Sequence, residues 1–173
     1  GGALDGGAGT FVNATAPTVT LVAANGIGAI NPVRTDTGSL GVINTSTGAV
    51  QIANAGGLSL AGVTQSGGDF MLAAGGAITQ SAPITVSGMT NISAGSNPIT
   101  LASSSNDFVG PATFTGGAVV VSDANTLNLA GANTSRGIFT AANSLNIDGN
   151  VTASAGDMVL NAGNSITVNN SLV

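Results

Sequence analysis

The chain has 173 residues and a net charge of -5, seven aspartates against Arg34 and Arg136, with no lysine, glutamate, histidine, cysteine, tryptophan or tyrosine. Charged residues make up 5% where about 25% is typical, and the lack of a basic cluster or an aromatic platform argues against nucleic-acid binding. A chain that is 43% hydrophobic and regularly alternating is the opposite of a disordered one, and no apolar run approaches the ~18 residues of a membrane-spanning helix.

The chain starts at Gly1 without a methionine or a signal peptide and reads as an interior or processed fragment of a longer fibre. Residues 1–10, GGALDGGAGT, form a glycine-rich lead-in without an apolar pattern. Asp5 among these glycines is a weak echo of calcium-binding repeats. From residue 11 to 173 the sequence reads as a single β-solenoid segment. Its first clear unit is TVTLVAANGIG, with Val19, Leu21 and Ala23 on one face and Ile27 past a turn. The unit is sharpest from Asp69 to Gly88, where Phe70, Leu72 and Ala74 alternate, Gly75-Gly76 breaks the run, and Ile78, Ile84 and Val86 follow around Pro83. Period-two alternation in such short runs predicts strand, turn, strand, turn, strand. The stretch from Asp157 to Ser171 repeats this opening almost position by position.

An alanine-type position serves as a ruler: Ala23, Asn54, Ala74, Ala94, Asp123, Ala141, Ala162. Most steps are about 20 residues, a common length for one rung of a β-solenoid. Two steps are about ten longer and contain residues 31–48 and 97–117, each either an enlarged rung or a loop off the shaft. Asn54 and Asp123 on the ruler suggest a corner open to water. A second strand follows, with the pairs Leu58/Leu60, Ile99/Leu101, Leu127/Leu129, Leu145/Ile147 and Ile166/Val168. Parallel rungs stacked at about 4.8 Å, seven to eight of them, make a rod roughly 35–40 Å long, with glycine and asparagine at the corners and asparagine ladders along them.

From Gly62 to Leu129 the chain resembles the long repeats of giant bacterial surface proteins of the filamentous haemagglutinin-like, two-partner-secretion type. The resembling marks are the twin Thr-Gln-Ser pieces at Thr64 and Thr79, Asn97-Pro98-Ile99-Thr100-Leu101, Asn106-Asp107-Phe108 and Asp123-Ala124-Asn125. Residues 26–62 are similar to the repeat that alternates with these, so the resemblance covers about nine tenths of the chain. It implies an all-β, right-handed parallel β-helix, exported through an outer-membrane secretion pore and displayed as an adhesive or structural fibre at the surface of a Gram-negative cell. The family's secretion domain carries Asn-Pro-Asn, whereas Asn31-Pro32 is followed here by Val33, which marks this piece as shaft.

Parallel β-helices also carry polysaccharide-cleaving enzymes, whose chemistry needs two carboxyls about 5–10 Å apart. Asp69 and Asp157 take the same place in their units but fall about four rungs, near 20 Å, apart, and nothing converges on Asp148. Without His, Cys or Glu the chain offers no strong metal set, and no cofactor is expected. Arg34 and Asp36 in one long interval, and Asp107 and Phe108 in the other, are the candidate contact residues if those intervals protrude. Six Asn-Xaa-Ser/Thr sequons, at Asn13, Asn44, Asn91, Asn133, Asn150 and Asn169, are too few above chance to argue from. Thr18/Thr20 and Thr113/Thr115 are isolated pairs, a poor basis for an ice-binding face.

The reading is a non-enzymatic structural or adhesive segment of a secreted fibre. Its alternatives are a pure shaft or spacer and, further off, a polysaccharide-acting enzyme. The expected partners are a glycan or surface ligand, and either neighbouring rungs of the parent chain or axial copies of itself.

Overall fold

The computed structural model describes residues 2–9 and 12–173. The junction between lead-in and solenoid falls on Thr10 and Phe11, outside the described residues. Seventeen strands and no helix are found among those described. Every strand pairing is parallel, and partners lie roughly 20 residues apart, giving a β-solenoid of about eight turns.

The chain visits three walls in a fixed order. The first wall holds Val33–Asp36, Val50–Asn54, Phe70–Ala74 and Thr90–Ser93, stacked in that sequence. The second wall runs through Leu58, Ile78, Ile99 and Val119, and the third through Val42, Val63 and Ile84. Between the second and third walls the chain often bends without breaking. Leu58–Gln65 and Ile78–Val86 are continuous strands whose register slips between Leu60 and Ala61. Pro83, expected to separate two strands, sits inside the second of these, just past the slip, between the pairs Ala61–Ala82 and Val63–Ile84. A bend with an irregular ladder is where a residue lacking an N–H does least harm.

One inward column can be followed from end to end: Leu4, Ile27, Val50, Phe70, Thr90, Ala112, Leu129, Ile147, Val168. A second runs from Val33 through Ile52, Leu72, Ile92, Phe114, Ala132 and Val151 to Leu172. Leu4 belongs to the glycine-rich lead-in, yet its N–H donates to the Gly26 carbonyl at 3.0 Å and its carbonyl accepts from Gly28 at 2.6 Å. Phe108, Phe114 and Phe139 fill the lower interior, with ring centres 5.9 Å apart edge-to-face for the first pair and 6.3 Å for the second. Such pairs add to simple area burial.

The walls correct the ruler. Ala23 stacks on Asn44 and then Gln65, on the third wall. Asn54 stacks on Ala74, on the first, while Asp123 stacks on Ala141 and Ala162 at the end of the second. The ruler therefore crosses three columns, and its two long steps are changes of wall. Residues 31–48 contain the ordinary strands Val33–Asp36 and Ser39–Asn44, and residues 97–117 contain Ile99–Leu101, Asp107–Phe108 and the start of Ala112–Asp123. The likeness of the Asp69 and Asp157 stretches also spans two walls. Phe70–Ala74 lies on the first wall and Met158–Ala162 pairs into the second. Asp69 and Asp157 thus do not share a rung position. The true sequence unit is a strand, a corner and a strand, shorter than a full turn.

The corners require glycine at particular places. At Gly68, φ is +110° and a Cβ would stand 2.5 Å from the Gly48 carbonyl oxygen, so both the backbone conformation and the rung above exclude a side chain.

Candidate functional site: an outer-wall groove and the corner carboxylates

Alternation sends every second residue of the first wall outward. Two outward columns stand side by side there. One carries Gln51, Met71 and Asn91; the other carries Ala53, Ala73 and Ser93. The long side chains form a bank and the short ones a floor, and with Pro32 at the upper rim they enclose a shallow groove of about 240 Å³. The floor column continues upward to Arg34 and downward to Thr115. The groove's surface is mostly apolar, from methyl, methylene and thioether groups, with two carboxamides and a hydroxyl among its lining. The inward alternation that defines the core does not reveal it, because the groove is made by the outward residues. The signal was present as Ala53, Ala73 and Ser93 recurring every 20 residues.

Of the candidate contact residues, Arg34 is half-buried on the first wall and Asp36 is exposed at the end of the same strand. Asp107 is half-buried, but Phe108 is fully buried in the core and is no contact residue. The two pairs lie in different turns and on different walls, so they do not come together.

The aspartates are tied largely into corners. Asp5 Oδ1 accepts the Ile30 amide at 3.0 Å and Asp69 Oδ1 accepts the Met89 amide at 2.9 Å. Asp148 Oδ1 accepts from Asn169 Nδ2 at 2.8 Å. Asp123 goes furthest: its two oxygens accept the Phe108 amide at 2.8 Å and the Asn125 amide at 2.7 Å, with 2% of its surface exposed. Burial pushes its carboxyl above the ordinary 3.8, the two amides pull it back, and the charge of Asp107 adds to the upward push. Among the described residues no three metal-ligating side chains cluster.

Asn54 and Asp123 were expected at a wet corner, and both are buried. Asn54 accepts from Thr35 Oγ1 at 2.8 Å and the Thr37 amide at 3.1 Å, and donates to the carbonyls of Thr37 and Gly56. A side chain that binds the turn's own backbone replaces water there, so its hydrogen bonds offset the cost of burial, fully made for Asn54 and only in part for the charged Asp123. Amide ladders do occur on the outer surface, as in Asn146 Nδ2 to Asn128 Oδ1 at 2.8 Å. Thr18, read in sequence as half of an isolated pair, heads a hydroxyl column with Ser39, Ser59 and Thr79. Of the sequon asparagines, Asn44 is buried and the other five are exposed.

Residues 47–115 match the model of a family described as repeats of unknown function (DUF5649), a match to less than half of the chain. These residues include most of the groove lining. No curated protein and no solved structure matches the chain.

Proposed function

We propose that this chain is a non-enzymatic shaft segment of a secreted bacterial surface fibre, serving adhesion or cohesion between cells and matrix. The observation that carries this is the unbroken column from Leu4 to Val168. A backbone ladder continuous along the axis makes a stiff spacer, because each rung is held on both sides by its neighbours. The repeat family match over residues 47–115 is in keeping with it, as is the sequence resemblance to exoproteins that leave the cell through an outer-membrane pore. Such a chain can fold rung upon rung as it emerges, because each rung needs only the neighbouring rung about 20 residues away. The adhesive part of the proposal rests on the first-wall groove, whose neutral amides and hydroxyl suit a glycan strand.

A glycan array probed with the 173-residue chain tests adhesion. Binding that falls at least about tenfold in Ala73→Gln, which fills the groove floor with a neutral side chain, supports it; tenfold corresponds to about 1.4 kcal/mol. Binding untouched by that variant moves the contact elsewhere on the rod. No binding to any glycan or host surface reduces the function to that of a spacer. Antibody labelling of intact native cells tests display: a signal seen only after permeabilisation overturns secretion to the surface.

A further inference from the structure

We propose that Asn25-Gly26 is a site of spontaneous backbone modification held closed by Asn44, which lies in the next rung and clamps the one amide that starts the reaction. The inference stands whether or not the groove binds a ligand.

The hazard is set by sequence. An asparagine followed by glycine forms a succinimide most readily, because no side chain at the second position hinders ring closure. The chain has one such pair, Asn25-Gly26. In the reaction the Gly26 backbone nitrogen gives its proton to solvent base and attacks Asn25 Cγ. The N–Cγ bond forms, the Cγ–Nδ2 bond breaks, and ammonia leaves with a proton taken from water. Water then opens the ring at either carbonyl, leaving aspartate or, with an extra carbon in the main chain, isoaspartate. Nothing is oxidised or reduced, and water is the only other reactant.

The corner also needs the residue that makes the pair reactive. At Gly26 φ is +107° and an added Cβ would stand 3.0 Å from the Ala49 carbonyl oxygen, so a side chain is excluded there. Protection has to come from the fold instead. Asn25 is exposed, so base and water reach it, whereas Gly26 is buried. The Gly26 N–H donates to Asn44 Oδ1 at 2.9 Å, which holds both the proton and the orientation of the peptide. The other end of the same peptide is pinned too, since the Asn25 carbonyl lies so close over Gly48 that a Cβ on Gly48 would strike it. On either side, the Ser46 and Thr47 amides donate to the Ala24 carbonyl at 3.1 Å, and the Ile27 amide donates to the Ala49 carbonyl at 2.9 Å. Asn44 is itself fixed: it is 0% exposed, and its Nδ2 donates to the Thr47 carbonyl at 2.9 Å and to Gln65 Oε1 at 2.7 Å. Attack on Cγ therefore requires the Gly26–Asn44 bond to open first, and openings of this kind are local events. An isoaspartate formed during one lengthens the main chain at the corner and displaces the Gly26 amide from Asn44, so the corner does not close again.

Peptide mapping by mass spectrometry, on chains incubated at mildly alkaline pH, tests this. In urea-denatured chain Asn25 should convert before any other asparagine, while in the folded wild type it should stay intact over the same period. Asn44→Ala, shown to be folded by circular dichroism, should convert at Asn25 at least about fivefold faster than the folded wild type, the change in open population expected when one such bond is lost. Leu145→Ala, which weakens the core several turns away, should leave the Asn25 rate at the wild-type value. Equal rates in folded and denatured wild type overturn the proposal, as does an Asn44→Ala rate no faster than wild type. Acceleration by Leu145→Ala as large as that by Asn44→Ala assigns protection to overall stability and overturns the role of Asn44. Should Asn44→Ala not fold, the wild type in urea below its unfolding transition replaces it. Asn25 conversion and hydrogen exchange of the Gly26 amide should then rise in parallel, and conversion that rises while that amide stays protected overturns the proposal.

Discussion

Asn44 sits directly above Gln65 in a buried third-wall column, and its Nδ2 donates to Gln65 Oε1 at 2.7 Å. The pair extends the usual amide ladder by binding the adjoining corner as well. Asn44 Oδ1 accepts the Gly26 amide at 2.9 Å, and Gln65 Nε2 donates to the carbonyls of Gly48 at 2.8 Å and Asp69 at 3.0 Å. Two side chains thereby join three successive corners. A buried polar chain of this kind stabilises only while every member is satisfied.

Asn44→Ala should therefore destabilise the rod by about 1–3 kcal/mol, chiefly by leaving the Gly26 amide buried and unpaired. Asn44→Asp should cost more at neutral pH than in acid, since a carboxylate faces the Gln65 and Gly48 oxygens that now accept from Nδ2. Urea unfolding midpoints of the two variants at both pH values check this. The same burial implies that Asn44, although a sequon, takes no glycan in the folded chain.

Asp123 predicts a pH dependence whose direction is fixed. Its folded pKa is raised above 3.8 by burial, so between these values the folded chain holds more proton than the unfolded one. Stability then falls as pH rises through that window and is flat above it. Asp123→Asn should remove this slope while losing one of the two amide contacts, and so start from a lower overall stability. Unfolding free energy followed from pH 7 down through the mildly acidic range distinguishes the two chains; equal slopes would refute the assignment.

Gly68→Ala should cost about 2–3 kcal/mol, since it combines a positive φ with a methyl against the Gly48 carbonyl. Gly56, where nothing lies within 4 Å of an added Cβ, is the control. Gly56→Ala is expected to change stability by less than about 0.5 kcal/mol. Thermal melts of both variants suffice.

Leu72, 2% exposed in the middle of an inward column, should cost about 2–5 kcal/mol when cut to alanine. Trypsin gives a complementary reading. Arg34 lies in a strand held on both sides by Ala14–Thr15 and Val50–Asn54, and Arg136 in one held by Ala112–Asp123 and, at the next residue, by Met158–Ala162. Both sites should survive in the wild type, because cleavage needs rungs to open. In Leu72→Ala the Arg34 site should be cut first, being the nearer of the two.

Alternation, glycine corners and a 20-residue recurrence follow from local rules, so the solenoid and its apolar interior were legible in the order of residues alone. A side chain's inward or outward sense is set by its immediate neighbours along a strand. Wall assignment is not. Phe70–Ala74 and Met158–Ala162 obey the same local pattern, and only the hydrogen bonds to Val50–Asn54 in one case and to the strand ending at Ala141 in the other place them on different walls. The ruler slipped between columns for the same reason, turning two ordinary passages into apparent insertions. The burial of Asn54 and Asp123 likewise required the turn whose amides they bind, and the groove required two outward columns to be brought side by side. Sequence determined the rung because a rung is local; the tertiary structure decided column, corner and groove because each is a relation between rungs.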